Sequence, residues 1–180
     1  MRIRKLFRFE AAHVVRNCHA RRCRENIHGH SYIVEVFISS ETLDKGYMVM
    51  DFTLLDEVKA LIDRFDHSYC LWQGEEEELK RFIYRYNQRV VEMPVSPSAE
   101  GFALLLFFLV DNILRHTVLS NGEGEVQLHS VRVHETATGY AEAFREDMKL
   151  VDFTHDDILF SGSILHEEAT STKHRDDVHG

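Results

Sequence analysis

The chain has 180 residues, 44% of them hydrophobic and 28% charged, with only 2 prolines and 9 glycines. That is enough apolar material for one domain with a real core, and it excludes a collagenous or Pro/Gly-rich disordered chain. The 30 acidic residues outnumber the 21 basic ones to give a net charge of −9, which disfavours nucleic acid as a partner because positive charge gathers only at Arg16, Arg21, Arg22 and Arg24.

No apolar run approaches the roughly 18 residues of a membrane span. The basic N-terminus returns to charge at Arg8 and Glu10 without a secretory hydrophobic region, so a cytoplasmic location and no membrane partner are expected. Cys18, Cys23 and Cys70 cannot close a disulfide framework among themselves and read as thiols of a reducing compartment.

In chain order, residues 2–9 and 31–39 read as strands, with Tyr32, Val34, Val36 and Ile38 alternating onto one face of the second. Residues 40–46 are turn-like, and Gly46 to Phe52 reads as a short strand. A helix is predicted from Thr53 to Phe65, where Leu54, Val58, Leu61, Ile62 and Phe65 form one apolar stripe. Residues 75–91 open with four glutamates and later carry Lys80, Arg81, Arg85 and Arg89, a charge order that suits a helix dipole. Ser96-Pro97 then reads as an N-cap and first helical position before the stripe Phe102, Leu105, Leu106, Leu109, Val110, Ile113 and Leu114. Residues 126–135 and 140–146 read as two further strands, so the order predicts an α+β fold with antiparallel hairpins. From about Thr154 the chain is mostly polar apart from Ile158-Leu159-Phe160, which divides it into a domain at 1–153 and a tail of uncertain order at 154–180.

Twelve histidines are the oddity of composition. In His28-Gly29-His30, at the start of the second strand, side chains two apart share a face, so both imidazoles can converge on one ion. His13 ends the first strand and folds back onto that pair, and three nitrogen ligands with an open fourth position suit a catalytic zinc site. Two other readings stand beside this one. The pair can be ordinary hydrogen-bonded histidines, or Cys18, Cys23, His28 and His30 can form a structural zinc site in a non-catalytic module. The latter suffers from a histidine spacing shorter than the usual gap of about 3–5 residues. Asp66-His67, after the first helix, sets a carboxylate beside an imidazole, fit for proton transfer or simply solvated. Glu135 ends an alternating strand, where a carboxylate is often just exposed.

Together the pieces resemble a family. Phe9-Glu10-Ala11-Ala12-His13, Cys23, His28-Gly29-His30-Ser31-Tyr32, Met50-Asp51-Phe52, Phe65-Asp66-His67, Pro97-Ser98-Ala99-Glu100 and Val133-His134-Glu135-Thr136 occur in the order of the 6-pyruvoyl-tetrahydropterin synthase and 6-carboxytetrahydropterin synthase family, over residues 3–146. The resemblance implies the tunnelling fold, a four-stranded antiparallel sheet with helices on one face. Subunits of that fold join their sheets into an oligomeric β-barrel, usually a homohexamer with active sites between subunits. It also implies zinc held by His13, His28 and His30, and 7,8-dihydroneopterin triphosphate as the substrate. Cys23 would be the base, Asp66 and His67 the opposing proton relay, Glu135 the clamp on the pterin's 2-amino and N3 hydrogens, and Ser98 a ring contact where the family usually has threonine.

The expected reaction is that of a zinc-dependent lyase. It forms 6-carboxy-5,6,7,8-tetrahydropterin with loss of triphosphate and acetaldehyde, in queuosine biosynthesis; the pyruvoyl product is the alternative. Cys23 falls between the spacings of the two branches relative to His28, which leaves Cys18 and Glu25 as rival bases. Residues 75–91 read as an insertion, and the tail after Thr154 has no counterpart in the family pattern.

Overall fold

Alternation of apolar and charged residues builds a first hairpin longer than residues 2–9 and 31–39. A computed structural model describes residues 1–161. In it, β1 spans Arg2–His13 and β2 spans His28–Ser39, paired antiparallel from Arg2↔Ser39 to His13↔His28. Between them lies a short helix, α1, at Arg21–Arg24. Phe7, Phe9, Ala11 and His13 of β1 are buried with Tyr32, Val34, Val36 and Ile38 of β2, while Arg2, Arg4, Arg8 and Glu10 lie exposed on the opposite side.

The remaining elements are α2 (Asp56–Asp63), β3 (Ser68–Trp72), α3 (Glu77–Tyr86), β4 (Val90–Met93), α4 (Ala99–His116), β5 (Gln127–Thr136), β6 (Gly139–Phe144) and β7 (Leu159–Phe160). The expected four antiparallel strands are present as β6, β5, β2 and β1, but the sheet is larger and mixed. Seven strands run in the order β6-β5-β2-β1-β3-β4-β7, open within one chain, with β3 and β4 added in parallel to β1 and β7 antiparallel to β4. Periodicity gave no sign of β3, because four of its five residues are buried and its pattern does not alternate.

Other boundaries also differ from expectation. No strand forms at 46–52, because Asp44 Oδ1 accepts from the Gly46 and Met48 amides, each at 2.8 Å, and closes a turn instead. The helix expected at 53–65 begins as a 3₁₀ turn at Phe52–Leu55, capped by Asp51, and is α-helical only in α2. Within 75–91 the helix is α3 alone, and Val90 and Val91 already belong to β4. The cap of α4 is Ser98, not Ser96: its Oγ accepts from the Gly101 amide at 3.2 Å. Ser96 instead presses its carbonyl against the helix, where a Cβ on residue 101 would stand 2.0 Å from that oxygen, so only glycine fits.

Chain packing does not stop at residue 153. Ile158 is buried, β7 pairs with β4, and Ser161 Oγ accepts from the Val90 amide at 2.8 Å. The rest of the expected tail lies outside the described residues. Among the described residues, no helix is long and apolar enough to cross a membrane.

α4 buries Phe102, Leu105, Leu106, Leu109 and Val110 over the sheet, next to Val58, Leu61 and Ile62 of α2. Phe102 is fully buried against Phe9, Tyr32 and Phe65, with ring centroids at 5.8, 4.9 and 6.2 Å. Phe102→Ala should therefore lower the unfolding free energy by about 3–5 kcal/mol, measured by urea denaturation at fixed protein concentration. A loss below about 1 kcal/mol would show that this aromatic cluster is not a packing centre.

Candidate functional site

The pairing of β1 with β2 puts His13 opposite His28 and sets His30 two residues further on the same face. The three imidazoles offer nitrogens that all lie within 4.8 Å of one another, and among the described residues this is the one group arranged to hold a metal. His13 is fully buried. Its Nδ1 lies 2.6 Å from the Pro97 carbonyl, and His28 Nδ1 lies 3.0 Å from the Asn26 carbonyl. A carbonyl only accepts, so both Nδ1 atoms carry the proton and both Nε2 atoms present lone pairs.

Those two Nε2 atoms face each other at 3.1 Å, and His30 Nε2 is buried without a hydrogen-bond partner. Two facing lone pairs repel unless a cation lies between them, and His30 adds a third, unpartnered ring nitrogen, so the donor set fits a divalent metal with a preference for nitrogen, such as zinc. Burial, aided by the neighbouring His28 and His30, pushes the His13 imidazole down to about 4 against the pull of the Pro97 carbonyl. His13 is thus neutral at physiological pH, the form that ligates.

Glu135, expected at the pterin, sits beside this triad. Its Oε1 is 3.6 Å from His13 Nε2 and 3.9 Å from His30 Nε2, with the side chain 30% exposed. It occupies a bulge of β5, where the register with β6 shifts between His134 and Thr136. A bulge re-aims a side chain, and here it leaves a carboxylate facing both the imidazoles and solvent.

The Cys18–Glu25 segment sorts its rival candidates. The metal-competent group contains neither thiol, so the two-cysteine, two-histidine site is not formed. Cys18 Sγ donates to the Val15 carbonyl at 3.1 Å. Glu25 is tied up by Arg21 at 2.9 Å and Arg24 at 3.3 Å. Cys23 is half-buried in α1, and its sulfur has no hydrogen bond among the described residues, so it is the least committed of the three. Cys70 is fully buried, and burial pushes its thiol up to about 12, which makes it inert.

Asp66 and His67 are joined as expected, His67 Nδ1 lying 2.8 Å from Asp66 Oδ2. Two further bonds tie them to β1: the Glu10 amide donates to Asp66 Oδ1 at 2.8 Å, and the His67 amide donates to the Glu10 carbonyl at 2.7 Å. Burial would raise the Asp66 carboxyl, but the Glu10 amide and His67 outweigh it and hold it below the usual carboxylate range. His67 adopts a left-handed φ of 55° and leaves its side chain 76% exposed. Together with Glu10, His30, Ser31 and Tyr69 it borders an open depression of about 420 Å³, so His67 and one member of the triad share a surface. Ser98 has its hydroxyl committed to the α4 cap. Reasoning from residue types missed the Pro97 and Asn26 carbonyls, because a backbone acceptor leaves no mark in side-chain chemistry.

Comparison with known proteins agrees with this geometry. The chain is similar to a Helicobacter pylori 6-carboxy-5,6,7,8-tetrahydropterin synthase, 43% identical over 95% of this chain and 82% of that protein. It is also similar to the Aquifex aeolicus protein of that name, 33% identical over 78% of this chain and 95% of that one. In fold it resembles an uncharacterized Wolinella succinogenes protein, with a TM-score of 0.63 and 21% identity over 81% of this chain and 98% of that one. A Plasmodium falciparum 6-pyruvoyl tetrahydropterin synthase aligns with a TM-score of 0.56 and 17% identity over 79% and 96% of the two chains. The family model described as 6-pyruvoyl tetrahydropterin synthase matches residues 2–146, the span that carries the histidine triad, the Asp66–His67 pair and Glu135. By sequence, fold and the residues brought together, the chain belongs to the 6-pyruvoyl tetrahydropterin synthase family.

Proposed function

We propose that the chain is a zinc-dependent 6-carboxy-5,6,7,8-tetrahydropterin synthase acting on 7,8-dihydroneopterin triphosphate, with loss of triphosphate and acetaldehyde. The carboxy product follows the name of the relative that is 43% identical over 95% of the chain. The observation that carries metal-assisted chemistry is the triad, with two facing Nε2 lone pairs and a third buried, unpartnered ring nitrogen. Zinc held by His13, His28 and His30 would supply Lewis acidity to the substrate's side-chain hydroxyls.

The protein's own groups then divide the work. Cys23 removes a proton from the substrate side chain. Asp66 orients His67, which exchanges a proton from the opposing side. Glu135 accepts from the 2-amino and N3 hydrogens and fixes the ring, its carboxylate standing next to the triad and open to solvent. Because His67 is largely exposed and bonded to β1 rather than to the triad, the relay is completed at the surface of a neighbouring subunit. The assembly is a homohexamer in which open sheets close into barrels, and the expected location remains cytoplasmic.

Incubation with 7,8-dihydroneopterin triphosphate and mass spectrometry of the product tests the reading. 6-Carboxytetrahydropterin with acetaldehyde is expected, whereas 6-pyruvoyltetrahydropterin would move the chain to the other branch. His28→Ala should lose bound zinc and activity together, and Cys18→Ala should keep both; metal content by atomic absorption decides, and zinc loss in Cys18→Ala would revive the thiolate site. Glu135→Gln keeps the shape but sets an amide nitrogen against a donor edge. It should lower kcat/KM by a factor worth about 2–3 kcal/mol with zinc unchanged. Unchanged kcat/KM would remove Glu135 from the substrate.

A further inference from the structure

The segment between β3 and α3, at the start of the expected insertion, carries a carboxylate that the reaction leaves unused. Glu75 is buried, its side chain 3% exposed, and both its oxygens accept from Arg16 Nε, at 2.9 and 2.8 Å. Arg16 Nη1 donates to the Arg24 carbonyl at 3.0 Å, on the residue directly after Cys23. Arg24 in turn donates to the Cys18 carbonyl at 3.0 Å, and the Val15 amide donates to the Cys23 carbonyl at 3.1 Å. A buried carboxylate is costly unless it is paired; besides the Glu76 amide, which donates to Glu75 Oε1 at 3.0 Å, its charged partner is Arg16, which reaches the turn that holds Cys23.

We propose that Glu75, acting through Arg16, is a positioning residue that fixes the Cys23 turn against the end of β1. The proposal rests on Cys23 being the base. Arg16 follows His13 by three residues, so the same stretch of chain ends at a metal ligand and grips the turn that carries the thiol. Without a fixed carboxylate the guanidinium, one third exposed, is free to swing into solvent and release the Arg24 carbonyl. A charge-assisted pair to a buried oxygen restrains it more tightly than water does. The start of the insertion thereby acts on the turn that carries the base.

The test compares Glu75→Gln, Arg16→Lys and wild type as metal-loaded full chains. In Glu75→Gln, kcat should fall about 10- to 100-fold while KM stays within about twofold and zinc content is unchanged. Alkylation of Cys23 by iodoacetamide, read by peptide mass spectrometry against buried Cys70, should speed up severalfold as the turn loosens. Arg16→Lys keeps the charge but not the fork, and should move both readouts the same way by less. If Glu75→Gln does not fold, Arg16→Lys carries the test. A lowered melting temperature with wild-type kcat and wild-type Cys23 alkylation would make the pair merely structural and overturn the proposal. Failure of wild type to turn over the pterin triphosphate would sink the function instead, since the alkylation readout needs no turnover.

Discussion

Pairing of β1 with β2 ends on His13 opposite His28, and most of the site inherits its geometry from that register. Side chains on a strand alternate with a period of two, so this register turns His13, His28 and His30 to the face that holds Phe9, Tyr32 and Val34. A one-residue slip of β2 would send His28 and His30 to the side occupied by Arg4, Arg8 and Glu10, away from His13. What resists the slip is burial: it would also turn Tyr32, Val34, Val36 and Ile38 out of the core. At about 1.5–3 kcal/mol for each large apolar side chain, that penalty is comparable with the whole stability of an ordinary domain. The forces that hold the sheet therefore also hold the ligands.

The start of α4 is the second support. Pro97 turns its carbonyl to His13 Nδ1 just before Ser98 caps the helix, and Gly101 lets the Ser96 carbonyl approach. One turn of chain thus decides the tautomer of the buried ligand. Phe102, in that same turn, packs with Phe9 and Tyr32 beneath it. Tyr32 Oη stands 3.2 Å from His13 Nδ1, and burial pushes its phenol up so that it stays a neutral hydroxyl. The floor of the site is thus aromatic, with one neutral hydroxyl beside the His13 ring.

The other face of the sheet is charged rather than apolar. Glu35 is buried there among Arg4 at 2.5 Å, His134 at 2.7 Å and Arg132 at 3.3 Å, and Arg132 also grips Glu142 at 2.9 Å. These pairings compensate a carboxylate that burial alone would neutralise. The parallel additions, β3 and β4, extend the sheet past β1, and β7 covers the outer edge of β4. Because β3 leaves β1 beside Glu10, the Asp66–His67 pair is pinned where the long hairpin meets this extension. His67 is left largely exposed there.

Local alternation and helical spacing carried the long hairpin, α4, β5 and β6, since those patterns repeat the geometry of the backbone itself. They also carried the histidine triad, because a one-residue gap on a strand fixes parity whatever the rest of the chain does. The order of motifs along the chain was sufficient to indicate the family. Tertiary structure alone decided the remainder. β3 has no alternation to read because it is buried almost throughout, and Gly46 to Phe52 lost its strand to the side chain of Asp44. The bulge that swings Glu135 toward the imidazoles, the Pro97 carbonyl behind His13 and the reach of Glu75 to Arg16 join residues distant in sequence. Spacing along a chain encodes which way a side chain points; which distant partner it meets is set by how the layers pack.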